Sequence, residues 1–112
     1  MATKGDKQTG AGAAGADRIV DELSAFFEVS ARKMFGGHGL SHEGVMFAIV
    51  DSGGDVFFRT DDASLAPYRA AGSAKHGRMP YHEVPDAVRA DPGELSSWAT
   101  IAIETARRNR KK

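Results

Sequence analysis

The chain has no cysteine, which removes disulfides, thiolate metal sites and cysteine nucleophiles at once. A reducing, cytoplasmic setting is the expectation that goes with it. Long apolar runs are missing too, and none approaches the roughly 20 residues that a membrane span requires. The first fifteen residues include Lys4 and Lys7 but no apolar stretch of the kind a secretory signal needs. Nor is there a net charge of either sign: fifteen Lys and Arg offset fifteen Asp and Glu. A protein that coats nucleic acid through a uniformly basic surface is therefore excluded.

What is present reads as one soluble domain. At 112 residues the chain can bury about 60–70% of its unfolded surface. Residues 1–15 are rich in Gly and Ala, lack periodicity and are expected to form a disordered leader. From Asp17, a candidate cap, Ile19, Val20, Leu23, Phe26 and Phe27 recur at helical spacing, so 17–28 is expected to be helical. Strand patterning follows from Arg32. Val45–Val50 is apolar at every position, as in a strand covered on both faces, and Asp51-Ser52-Gly53-Gly54-Asp55 is a hairpin signal before Val56–Arg59. Pro67 suits the start of a short helix that Gly72 would end. Met79–Val84 reads as a last strand, with Pro80 marking an edge or a bulge. Asp91-Pro92-Gly93-Glu94 combines a cap, a proline at the first helical position and an acid in the first turn. Leu95, Trp98, Ala99, Ala102 and Ala106 then make the buried stripe of a long helix. Phe26, Phe27, Phe35, Phe47, Phe58 and Trp98 are the aromatic core candidates. The expected class is α+β: a two-layer domain whose antiparallel sheet, a three-stranded meander plus one or two strands, packs against N- and C-terminal helices.

Two motifs stand out: Lys33-Met34-Phe35-Gly36-Gly37-His38-Gly39-Leu40 with Val45-Met46-Phe47-Ala48, and Ala71-Gly72-Ser73 with Met79-Pro80-Tyr81-His82-Glu83-Val84-Pro85. As a pair they resemble the N-terminal domain of the TfoX/Sxy family of bacterial competence regulators, and the resemblance covers roughly residues 31–106. It implies a layered α+β fold and a regulatory module, with residues 16–106 as the domain and 107–112 as a basic tail. Full-length members of that family act as co-regulators of transcription with the cyclic-AMP receptor protein and carry a second, C-terminal domain. The 112 residues are expected to represent a short member with the first domain alone. Family members usually have a longer segment, with an extra strand, where Ser73–Arg78 stands, so a sheet of fewer than five strands is one expectation.

Residue chemistry supplies no enzyme. Gly36, Gly37 and Gly39 lead into a strand, and no Gly-Lys-Ser/Thr follows, so they are expected to be a structural turn and not a phosphate cradle. Their expected role is to adopt backbone angles closed to other residues, or to let helix 1 approach. Ser41 lacks the glycine two residues on that a nucleophile elbow needs. His38 and His42 are too far apart in extended chain to share a metal, and His82-Glu83 meets Pro85 where a zinc-binding helix would continue. No cofactor or metal is expected. If a ligand site exists, His38, His76, His82 and Glu83 are the groups for it. Arg107, Arg108, Arg110, Lys111 and Lys112 concentrate five cations in six residues; the other ten cations meet fifteen acids, leaving an acidic body of −5. These cations, with Tyr81 and His82, are the candidate interaction residues. The leading expectation is a module that binds another protein, such as a transcription regulator, as a monomer or homodimer. Alternatives are weak, non-specific nucleic-acid binding through the basic tail, and a small-ligand binder or enzyme.

Overall fold

A computed structural model describes the backbone of residues 4–34 and 36–110, and side chains from residue 12 onward within those limits. Met1–Thr3, Phe35, Lys111 and Lys112 lie outside the described residues. The elements are α1 (Lys4–Ser24), β1 (Ser30–Met34), β2 (Gly37–His42), β3 (Val45–Val50), β4 (Val56–Arg59), α2 (Ala66–Ala71), β5 (Tyr81–Glu83), α3 (Asp86–Arg89) and α4 (Pro92–Arg108). The five strands pair antiparallel in chain order, β1-β2-β3-β4-β5, an open meander. The expected three-stranded core is thus extended by two strands, β1 at one edge and β5 at the other. Ser73–Arg78 does not form a full strand, but Lys75 still bridges to His82 beside β5.

Turn chemistry explains the meander. Glu43 and Gly44 alone join β2 to β3, and both have positive φ, 52° and 79°. This is the left-handed two-residue connection that suits the twist of paired strands. Between β3 and β4, the Asp51 carboxylate accepts from the backbone N–H of Gly53 and Asp55 at 3.0 and 2.9 Å. Within β3 the pairing with β2 jumps from Leu40↔Ala48 to Ser41↔Met46 and leaves Phe47 as an extra, bulged residue. The bulge turns both Phe47 and Ala48 into the core, which is why β3 does not alternate.

One face of the sheet carries the helices. α4 lies against β3 and β4, and α1 against β2. Phe47, Phe58, Leu40 and Val50 from the sheet meet Ile19 and Leu23 of α1 and Leu95, Ala99 and Ala102 of α4 in one fully buried cluster. Each large side chain so buried contributes about 1.5–3 kcal/mol. The opposite face holds a smaller cluster of Ile49, Phe57 and Tyr81, flanked by Met46 and Met79.

α4 begins as its sequence dictates, with the Asp91 carboxylate accepting from the N–H groups of Gly93 and Glu94. α2 likewise starts with Pro67 in its first turn and ends at Gly72 in the left-handed conformation. Four points differ from the sequence reading. α1 reaches back to Lys4, so residues 4–15 are helical, not a structureless leader. Its face carrying Gly12 and Gly15 runs against the β3–β4 turn, where a Cβ on Gly15 would lie 2.7 Å from the Gly54 Cα. The small residues that read as disorder permit a close helix–turn approach. At its other end α1 stops at Ser24, not Glu28; the N–H groups of Phe26 and Phe27 both donate to the Leu23 carbonyl. Consequently Phe26 is 46% exposed and not core. Strand β5 is shorter than 79–84, because Pro80 cannot donate and its carbonyl instead accepts from the Thr60 N–H. Among the described residues no helix is long and apolar enough to cross a membrane.

Candidate interaction surfaces

The three motif glycines serve three different ends. Gly36 has φ +77° with open space around its α-carbon, so the conformation requires it. Gly37 has no positive φ; a Cβ there would sit 2.1 Å from the Val50 carbonyl oxygen, so the close approach is to β3 and not to a helix. Gly39 leaves room for two sulfurs, the Met34 and Met46 Sδ atoms each lying 2.7 Å from the position its Cβ would take.

The four histidines do not converge. His38 is half-buried, with Nδ1 unpartnered among the described residues. His42 Nδ1 lies 2.7 Å from the Glu28 carbonyl, against the Phe27 ring. His76 packs edge-on to Phe57 on the outer face, whereas His82 packs beside Tyr68 on the helix-covered face, 2.9 Å from the Thr60 hydroxyl. Burial, followed by the nearby charges of Lys75 and Arg69, lowers the pKa of His82 and favours its neutral form. Glu83 is shifted upward, first by burial and then by Asp55, Asp86 and Asp51. Among the described residues no three His, Asp or Glu side chains form a group able to hold a metal ion. Tyr81 is buried in the outer-face cluster, with the Arg59 guanidinium 6.0 Å from its ring centre.

The C-terminal cations are not a free tail from residue 107 onward. Arg107 and Arg108 form the last turn of α4. Arg107 Nη2 donates to Glu43 Oε1 at 2.7 Å. Arg108 makes a two-pronged contact with Asp61, Nε to Oδ2 at 3.0 Å and Nη2 to Oδ1 at 3.2 Å, and Asn109 Nδ2 adds a bond to Oδ2 at 2.9 Å. The Arg108 hydrogen bond holds the Asp61 carboxyl far below the usual carboxylate range, with the Asn109 bond assisting against partial burial. Arg110 continues past the helix, and Lys111 and Lys112 are outside the described residues.

A surface that sequence reasoning missed lies at the other end of α4. The last turn of α1 and the α3–α4 corner frame an open cleft of about 470 Å³. Ala25, Phe26, Ala90, Pro92 and Leu95 supply its apolar lining, and Asp21, Glu22 and Arg89 its polar wall. Arg89 Nη2 reaches Glu22 Oε1 at 3.3 Å, while Arg89 Nε is buried with no partner among the described residues. The charge around it is lopsided. Residues 16–28 hold Asp17, Asp21, Glu22 and Glu28 against Arg18; residues 86–95 hold Asp86, Asp91 and Glu94 against Arg89. Those two segments together carry −5, whereas residues 29–85 are neutral, with six charges of each sign. Of these acids only Asp21 and Glu22 line the cleft, against Arg89, whereas Asp86 lies beside Gly72 and Glu83, and Glu94 accepts from Trp98 Nε1. Phe26 was the available signal, since an apolar residue just past a helix end need not face inward.

No curated protein matches this chain. The family model described as the TfoX N-terminal domain matches residues 21–106, which span all five strands, most of α4 and only the last turn of α1. The chain belongs to the TfoX N-terminal domain family.

Proposed function

We propose that the protein is a non-enzymatic regulatory module that acts by binding another protein, in transcription or competence control within the cytoplasm. Family membership supports a regulatory-type module broadly. The observation that carries the protein-binding reading is the disposition of charge. The arginines that would serve a nucleic-acid contact, Arg107 and Arg108, are paired to Glu43 and Asp61 on the domain itself. The cleft at the other end of α4 is apolar, and its polar wall is net acidic, with Asp21 and Glu22 against Arg89. An acidic surface repels phosphate, while an apolar cleft beside unbalanced charge suits a protein.

The test sets duplex DNA against protein. In an amide-shift titration, DNA is expected to move only the residues around Arg110 and the α4 terminus. With at most about five phosphates neutralised, log K should fall with log salt at a slope no steeper than about −4.5. A protein partner captured from lysate of the source organism should still bind at physiological salt after residues 110–112 are removed. That cut leaves the Arg107 and Arg108 pairs intact. Sequence-selective shifts on the folded domain with DNA alone would replace this reading with a direct DNA reader.

A further inference from the structure

We propose that the cleft between α1 and the α3–α4 corner is the docking site for a cationic amphipathic helix of a partner protein, an inference that rests on the protein-binding reading above. Three observations select this occupant. The lining is apolar, and its volume lies in the range of pockets that bury an organic side group. Its lip is Phe26, an aromatic left 46% exposed beyond the end of α1, and solvent-accessible aromatics at a concave site are the usual anchors of protein contacts. Its polar wall holds two acids, Asp21 and Glu22, against one cation, Arg89, which Glu22 already engages, so the wall is net acidic through Asp21.

A ligand matching this surface presents one or two large apolar side chains to the cleft and Lys or Arg around them. A helix carries such anchors at positions three or four apart, with its cations on the flanks. Acidic peptides and phosphates meet the wrong sign. The chain's own basic end, Arg107 to Lys112, has the right charge but contains no apolar residue to fill the cleft. A second copy docking by its C-terminus is therefore disfavoured.

The probe is a synthetic fourteen-residue peptide with Leu and Phe on one helical face and Lys on the other, compared with a counterpart in which Glu replaces Lys. Each is titrated into the full 112-residue chain and followed by amide shifts and calorimetry. The expected result is saturable binding of the Lys peptide, weakened by salt, with shifts concentrated at Ala25, Phe26, Ala90 and Leu95. Phe26→Ser should weaken it by about tenfold or more, as loss of an anchor does. Because Phe26 is exposed, that variant should melt like the parent. Asp21→Asn should weaken the Lys peptide and leave the melting temperature unchanged. Equal binding of the Glu peptide, shifts centred elsewhere, or insensitivity to Phe26→Ser would overturn the proposal. So would concentration-dependent dimerisation through the same residues in the absence of peptide, which would make a second copy the occupant. A lysate partner whose capture is unaffected by Phe26→Ser would sink the cleft assignment yet keep the protein-binding reading. Failure to find any protein ligand, with sequence-selective DNA shifts instead, would remove both.

Discussion

Replacing Asp61 by Asn tests whether the C-terminal arginines are fastened to the domain. The Asp61 carboxylate accepts five hydrogen bonds: two from Arg108, one from Asn109, and one each from the N–H groups of Ala63 and Ser64. An Asn side chain keeps one acceptor oxygen for the turn but presents an NH2 group to donors on Arg108 and Asn109. An exposed ion pair is worth up to about 1 kcal/mol, and Arg108 is 49% exposed, which limits what screening leaves. Two-pronged geometry and the lost Asn109 bond add to this, so Asp61→Asn should cost about 1–2 kcal/mol at pH 7. Asp61→Ala also removes the cap on Ala63 and Ser64, for about 1 kcal/mol more.

The pH dependence has a definite sign. Asp61 is shifted down in the folded state, chiefly by Arg108, so its contribution is complete above the unfolded value of about 4 and is lost as pH falls toward the depressed folded value. Urea unfolding of parent and Asp61→Asn from pH 7 to pH 2.5 should show a constant gap down to about pH 5 that narrows below about pH 4. A double-mutant cycle with Arg108→Ala should return a favourable coupling that is lost at pH 2.5. A gap that is absent at pH 7, or that is the same at pH 2.5, would mean the arginines are free and would revive the nucleic-acid reading.

Other perturbations have equally definite outcomes. Glu43→Asn relieves a non-glycine residue held at φ 52°, at the expense of an exposed pair with Arg107, and should stabilise the protein by about 0.5 kcal/mol in chemical denaturation. Gly37→Ala places a methyl against the backbone oxygen of Val50 and should cost about 2–3 kcal/mol. Gly36→Ala, strained only in φ, should cost about 1–2 kcal/mol, and the reverse order would show the loop geometry to be wrong. Phe47→Asp introduces an unpaired charge at a fully buried position and should cost more than about 4 kcal/mol; a parent-like melting curve would rule out β3 as the central strand.

Local signals were legible where a short segment sets its own conformation. Asp91, Pro92 and Glu94 specify the start of α4, Gly72 the end of α2, and the Asp51–Asp55 run the β3–β4 hairpin, all without help from distant residues. Reading failed where packing reassigns a composition. Gly12 and Gly15 look like a flexible leader until the turn at Gly54 is brought against them, and Phe26 follows helical spacing past the point where α1 has stopped. The fastening of the basic end was out of reach for the same reason. Arg107 finds Glu43 across 64 positions and Arg108 finds Asp61 across 47, and no local pattern records either. The cleft joins Phe26 to Arg89 in the same way, so its residues carry no motif.

These placements make the molecule electrically polar along α4. The helix spans 17 residues, roughly 25 Å, with Asp91, Glu94 and the Asp21 and Glu22 wall of the cleft at its N-terminal end and Arg107 and Arg108 at its C-terminal end. That is the orientation the helix dipole prefers, acids near the free N–H groups and bases near the free carbonyls. Two such molecules would attract head to tail unless one end were quenched. Glu43 and Asp61 do the quenching: they come from the β2–β3 turn and the segment before α2, and they neutralise Arg107 and Arg108 within the same molecule. Among the described residues the acidic end has no comparable device, because Arg89 is paired only to Glu22. The asymmetry leaves Arg107 and Arg108 charge-satisfied and the other end, around Phe26, open to a partner of opposite sign. Loss of the Asp61 clamp should therefore raise self-association at low salt even where the fold survives, and sedimentation of Asp61→Asn at about 20 mM and 150 mM salt would reveal it, since a Debye length near 8 Å at the higher value screens such end-to-end attraction.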